Sequence, residues 1–173
     1  MSDEAGTQVG DVADGDDQGA RIVRFWQAGR QRLGLGDLAP VMGQDASDAV
    51  VPSTWTFADA DAAVAAILSG SKRATSAVLS DLAALGGEGV PEPGDVAIVL
   101  DSHGEPRALV RADQVRTVRV DEVDEAHAGD ELGAPASPEA LAAWREHNDA
   151  GATDPAAQVL LERFTLVHPS PTA

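Results

Sequence analysis

Apolar positions along the chain change their period several times, and each change marks a predicted element. Ile22, Phe25, Trp26 and Leu33 fall near helical spacing, with Arg24, Arg30 and Arg32 outside the stripe. A first helix therefore begins near Arg21 and ends at Gly34 and Gly36, and a loop follows from Leu38 to Ser53. Trp55-Thr56-Phe57 opens the next unit. Asp59 and Asp61 supply the negative charge that suits a helix start. Val64, Ile67 and Leu68 give the helix its buried face, and Gly70 gives it a stop. Ser71 to Ala77 reads as a turn feeding a strand, and Val78 to Leu85 as a short helix. Gly86, Gly87, Pro91 and Pro93 mark another loop.

The middle of the chain is β. Val96 to Leu100 is a continuous apolar run that fits a buried strand. Asp101 to Glu105 is a hairpin turn, and Arg107 to Arg111 returns as a second strand. Gln114 to Val120 alternates, with Val115, Val118 and Val120 apolar, and predicts a third. Glu122 to His127 is expected to be helical and Gly129 to Ala136 a loop. Ser137-Pro138 is a helix start, with Ser as N-cap and Pro in the first position, and that helix runs through Leu141 and Trp144 to about His147. Asp149 to Pro155 leads as a loop into a last strand, Val159 to Val167. There is no internal repeat. About five strands with a few helices make an α+β domain, a curved sheet or small barrel.

Composition sets limits on this picture. At 173 residues the chain is long enough for one self-sufficient core. It has no cysteine, which removes disulfides, thiolate metal ligands and cysteine nucleophiles. No apolar run approaches a membrane span, and the acidic N-terminus lacks the apolar segment of a signal peptide. The expectation is a soluble, cytoplasmic protein. Residues 1–20 hold six acids and no base and read as a disordered acidic tail. Residues 21–168 form the domain, and 169–173 a flexible end. The net charge is −17, and removing the six tail acids leaves −11. Such a surface repels long or duplex nucleic acid, although a small basic pocket could still hold a nucleoside or a short single strand.

The twelve basic residues comprise eleven arginines and one lysine, Lys72. A lysine can lose its proton when desolvated or placed near positive charge, and an arginine cannot. Lys72 is therefore either a chance survivor on a solvated turn or a position that needs a titratable amine.

Several motifs together resemble the ASCH domain family, whose proteins have a PUA-like barrel. Gly70-Ser71-Lys72-Arg73-Ala74-Thr75-Ser76 is similar to its G-x-K-[TR]-A-T-[AS] signature. Around it, in matching order, stand Phe25-Trp26 with Leu33-Gly34-Leu35, Trp55-Thr56-Phe57, and Gly94-Asp95 with Ile98-Val99-Leu100-Asp101 and Gly104-Glu105-Pro106. Asp121-Glu122-Val123, Trp144-Arg145-Glu146-His147 and Glu162-Arg163-Phe164 follow. The resemblance spans roughly residues 22–168.

It implies a PUA-like small curved β-barrel of about five strands with flanking helices. Its function would be that of a nucleoside- or RNA-binding protein, and some relatives are amidohydrolases acting on N4-acetylcytidine. In that branch a Lys, a Thr three residues later and a Glu after the third strand form the catalytic trio. Here they fall on Lys72, Thr75 and Glu131. A lysine whose pKa is lowered can take the proton of a threonine hydroxyl and activate it for attack on an amide carbonyl. Glu131 would orient the lysine or return the proton to the leaving amine. In a regular strand, positions 72 and 75 face opposite ways, so convergence requires Lys72 to lie in the turn before the strand.

Arg73, Ser76, Arg107, Arg145 and Trp144 are candidate substrate-binding residues. Arg107, Arg111, Arg116 and Arg119 lie on adjacent predicted strands, where they could line a groove or simply pair with acids. Trp144 and Arg145 could frame a base, or Trp144 could pack its helix on the sheet. No His/acid spacing resembles a metal site, and no cofactor fingerprint is present. The competing readings are a non-catalytic nucleoside- or RNA-binding module and a single-strand ribonuclease using the same lysine.

Overall fold

A computed structural model describes residues 13–34, 51–84, 90–148, 154 and 156–169. The expected loops at 38–53, 86–93 and 149–155 lie wholly or partly outside the described residues. The elements in chain order are α1 (Ala13–Arg30), β1 (Ser53–Trp55), α2 (Ala60–Leu68), β2 (Ala74–Val78), α3 (Leu79–Ala84), β3 (Val96–Leu100), β4 (Pro106–Arg119), α4 (Glu125–Leu132), α5 (Pro138–His147) and β5 (Gln158–His168). The five strands form one curled half-barrel sheet in the order β1-β3-β4-β5-β2. β1 runs parallel to β3 and the other neighbours are antiparallel. The architecture is α+β, with helices flanking the sheet. Among the described residues no helix is long and apolar enough to cross a membrane, and no cluster of three or more His, Asp or Glu side chains could hold a metal ion.

Alternation along the strands sorts the core into separate clusters. On one face, the one that carries α2, Ala97, Val99, Ala108, Val110 and Phe164 meet Val64 and Ile67 of that helix. On the opposite face Val159 and Leu161 meet Val123, Ala128 and Trp144. A third cluster joins Trp26 of α1 to Ile98, Leu100 and Leu109.

Three elements differ from the sequence reading. The first helix starts at Ala13 rather than Arg21. Its early turns are anchored on the β3–β4 hairpin, where Gln18 Nε2 donates to Gly104 O at 2.9 Å and Arg21 meets Glu105 at 2.8 Å. The strands expected at 107–111 and 114–120 are one strand, β4, with a bulge between Ala112 and Gln114. The bulge shifts the alternation by one residue, so the inward series Ala108, Val110, Ala112 continues at Val115.

The third difference is α4. It covers Glu125–Leu132, where the sequence suggested a helix ending near His127 and then a loop. Asp124 caps its start by accepting from His127 N at 2.7 Å. Gly129 sits inside the helix because nothing larger fits: a Cβ there would lie 2.8 Å from Ala134 O and 2.9 Å from Ala136 N. α5 begins as expected, with Ser137 accepting from Ala140 N at 3.1 Å.

Candidate active site

The site is built on the reversal from α2 into β2. Gly70 holds φ at +78°, the left-handed region that side chains disfavour, and the chain folds back so that Ser71 N and Lys72 N both donate to Ala66 O, at 2.9 and 3.0 Å. Arg73 then bridges two elements, donating its N–H to Asp130 O of α4 at 2.8 Å and accepting from Phe164 N of β5 at 3.0 Å. Lys72 therefore lies in the turn before the strand, as convergence requires.

Because Arg73 and Thr75 pair toward β5, the alternation of an antiparallel ladder turns the Ala74 carbonyl outward. β2 is an edge strand, so that carbonyl would otherwise be unpaired. The Lys72 amine occupies it. Nζ donates to Ala74 O at 3.0 Å and to Glu131 O at 2.8 Å, and lies 5.0 Å from the centre of the Phe57 ring. Burial pushes this amine down from the usual lysine range, and the Glu131 charge pulls it part of the way back. Lys72 also lines a cavity of about 180 Å³ together with Ile67, Leu68, Gly70, Phe164 and Leu166 among others, and Thr75, Ser76 and Glu131 are not part of that lining.

The Glu131 carboxylate sits behind the amine, in the last turn of α4, and is 8% exposed. Ser76 Oγ donates to both of its oxygens, at 2.8 and 3.0 Å, and Trp144 Nε1 donates to Oε2 at 2.6 Å. His127 Nε2 lies 3.3 Å from Oε2, at an angle too poor for a hydrogen bond. Burial pushes the carboxyl up, but the contacts from His127, Trp144 and Ser76 and the charge of Lys72 outweigh it, and the group is held below the ordinary glutamate range. Glu131 therefore reaches the lysine directly through its main-chain carbonyl, while its side chain is an anion held in place by three residues.

Thr75 and Ser76 are neighbours on β2 and face opposite ways. Ser76 faces α4 and α5. Thr75 faces the side that carries α2, level with Glu162 on β5. The bond lengths of the Ala74 carbonyl place the lysine amine no more than about 5.6 Å from the Thr75 nitrogen. Lys72, Glu131 and Ser76 thus meet at the sheet edge, and Thr75 stands next to them on the other face.

An ASCH domain model matches residues 53–168, which is more than half of the chain and includes every element of the site. The chain belongs to the ASCH domain family. Two solved structures share its fold. One is an ASCH domain from Lactobacillus crispatus JV V101, with a TM-score of 0.61 and 20% identity over 84% of this chain and 94% of that one. The other is a protein of Enterococcus faecalis V583, with a TM-score of 0.64 and 23% identity over 86% of this chain and 93% of that one. No curated protein matches. The half-barrel of this ASCH domain is accordingly the PUA-like one.

The remaining candidate residues of this ASCH domain are dispersed. Arg73 pairs with Asp130 at 2.7 Å, which Arg163 also approaches at 3.2 Å. The four strand arginines each pair with an acid: Arg107 with Asp101, Arg111 with Asp113, Arg116 with Asp124 and Arg119 with Asp121. Arg107 lies seven residues before Gln114, which is level with Arg163 and Ala74. That is roughly 20 Å along the strand. Trp144 is fully enclosed, so it packs α5 on the sheet, and its indole N–H is committed to Glu131. Arg145 on the same helix is exposed. Two residues of the ASCH domain, His127 beside the expected site and Glu162 in a family motif, carried no assigned role in the sequence reading. His127 is buried against Glu131, four residues earlier on α4, a spacing that could have signalled the contact. Glu162 is an acid on the alternate series of β5 that otherwise carries Leu160, Phe164 and Leu166, and that position was its signal.

Proposed function

We propose that this ASCH domain binds a nucleoside at the edge of its sheet and hydrolyses an amide on the base, as in N4-acetylcytidine. Lys72 acts as the base, Thr75 as the nucleophile and Glu131 as the residue that orients the lysine. The observation that carries this reading is the geometry of the Lys72 amine. A neutral amine has two N–H donors and one lone pair. The Ala74 and Glu131 carbonyls accept two hydrogen bonds, so in the neutral form the lone pair takes the remaining direction. Burial favours that neutral form, and an apolar cavity adjoins it.

The chemistry runs in two halves. The amine takes the Thr75 hydroxyl proton, and the oxygen attacks the amide carbonyl of the substrate. The resulting ammonium returns that proton to the leaving nitrogen as the C–N bond breaks. This frees the nucleoside amine and leaves an acyl-threonine. Water, deprotonated by the same amine, cleaves the ester and restores the hydroxyl. The sum is amide plus water giving acid plus amine. Glu131 and Ser76 fix the lysine's position throughout, and Arg73 at the rim is the nearest guanidinium for the substrate's polar groups.

Release of cytidine from N4-acetylcytidine, followed by chromatography, tests the proposal. Thr75→Val should abolish release. Lys72→Arg should also abolish it, since guanidinium stays charged. The wild-type rate should rise with pH through the lowered lysine pKa. A Lys72→Arg variant as active as wild type would overturn the base assignment. Binding of cytidine without any turnover would leave a nucleoside-binding module, and cleavage of single-stranded RNA that survives Thr75→Val would point to a ribonuclease.

A further inference from the structure

We propose that Glu162 is a ligand-binding residue of this domain: with Thr75 it forms a polar pair on the α2 side of the sheet that reads a nucleobase edge carrying an adjacent donor and acceptor. The N3 and N4–H positions of a cytosine are such an edge. The inference rests on the nucleoside reading above for the class of ligand and adds the group that selects it.

Glu162 lies in the middle of β5, between Thr75 of β2 and Val115 of β4. It is 5% exposed. Phe164, two residues on and therefore on the same face, lines the cavity beside Lys72 and stands about 7 Å away by strand rise. Phe164 thus links the polar pair to that cavity, whose own lining stops short of Glu162 and Thr75.

The carboxyl of Glu162 has no hydrogen-bond or ion-pair partner among the described residues, and neither has the Thr75 hydroxyl. The other buried acids are fully engaged. Asp101 accepts from His103 N, Glu105 N and Arg107, and Glu131 accepts from Ser76 and Trp144. A largely buried carboxyl with no protein partner is uncommon; its oxygens and the hydroxyl of half-buried Thr75 are not among the fully enclosed unpartnered atoms, so water or a ligand can reach both.

The elements around Glu162 bring little charge. β2 presents Thr75 and β4 presents Val115, while Arg163 and Arg116 lie on the opposite face by alternation. Asp95, before β3, is the charged group that acts on it. Burial, helped by Asp95, raises the Glu162 carboxyl to about 7. Near neutrality much of it is protonated, offering one O–H donor and one carbonyl acceptor. That complement matches an edge with a neighbouring acceptor and donor, and a glutamine reproduces it at every pH.

Calorimetric titration of cytidine, which carries no amide to cleave, into the wild-type chain between pH 6 and 8 tests this without relying on turnover. If the protonated carboxyl is the binding form, affinity should fall about tenfold over that range. Glu162→Gln should bind with pH-independent affinity close to the wild-type value at pH 6, and Glu162→Ala at least tenfold more weakly. A flat wild-type profile, a Glu162→Ala variant that binds like wild type, or no cytidine binding at all overturns the inference. The hydrolysis assay separates the two readings. Cytidine binding that follows Glu162 without amide cleavage supports this inference and sinks the hydrolase. Cleavage that needs Thr75 but has the same KM in Glu162→Gln and Glu162→Ala at every pH sinks this inference and leaves the hydrolase standing.

Discussion

Replacing Trp144 with phenylalanine removes one hydrogen-bond donor from a buried carboxylate and little else. The indole N–H meets Glu131 Oε2 at 2.6 Å, and the ring is fully enclosed. A hydrogen bond to a charged group contributes about 1.5–3 kcal/mol, and the space left by the smaller ring adds roughly 1 kcal/mol. Trp144→Phe should therefore cost about 3 kcal/mol at pH 7, lowering Tm by roughly 6–12 °C for a chain of this size. The pH dependence has a definite sign. The folded Glu131 carboxyl is held below its ordinary value, so its contribution is complete above the unfolded value of 4.5 and is lost as pH falls through the folded one. Once Glu131 is protonated, only a neutral hydrogen bond and the packing difference remain, and the cost of Trp144→Phe should shrink. Urea melts of wild type, Trp144→Phe, Glu131→Gln and the double variant at pH 7 and pH 3 measure this as a cycle. The expected coupling at pH 7 is at least about 1 kcal/mol. Strict additivity, or an equal Trp144→Phe cost at both pH values, would refute the reasoning.

Glu162 predicts the opposite pH trend. Its folded value of about 7 exceeds the unfolded one, so the stability it lends below the unfolded value is lost as pH rises through the folded value. Glu162→Gln should accordingly stabilise the protein at pH 8 by about 1–2 kcal/mol, roughly half of what the full shift would give because some water reaches the carboxyl, and by nothing at pH 4; urea melts at the two pH values check this. Gly70→Ala places a side chain at φ +78° and should cost about 1–2 kcal/mol in a denaturant melt, with a loss of activity from the displaced Lys72. In Gly129→Ala the new methyl meets the Ala134 and Ala136 backbone, which cannot swing aside as a side chain can; a cost of about 1–3 kcal/mol is expected by thermal melting.

The lone lysine, the glycine before it and the threonine three residues later were all legible as a unit, because a turn glycine and a strand onset are local signals. Glu131 was found through the family resemblance, but its place in α4 was not. Gly129 within the helix looks like a break in one dimension, whereas the close backbone approach of residues 134–136 explains it in three. The β4 bulge hid for a similar reason. A one-residue change of phase reads as the end of one strand and the start of another, and only the pairing with β5 shows the strand to be continuous. Trp144 illustrates a different limit. Its helix and its inward direction were readable, but the acceptor of its N–H lies thirteen residues earlier, in another helix. The strand arginines show that charge alone does not define a site, since each is matched by an acid within 3.2 Å.

The place of the Lys72 amine has a consequence beyond chemistry. β2 is the open margin of the sheet, and its outward carbonyls could receive a strand from another molecule. The amine covers the first of them, and the Asp130 carbonyl takes the neighbouring N–H of Arg73, so the start of that margin is closed to a passing chain. A variant with an apolar residue at 72 uncovers it, and such a molecule is exposed to strand-by-strand self-association as well as to loss of function.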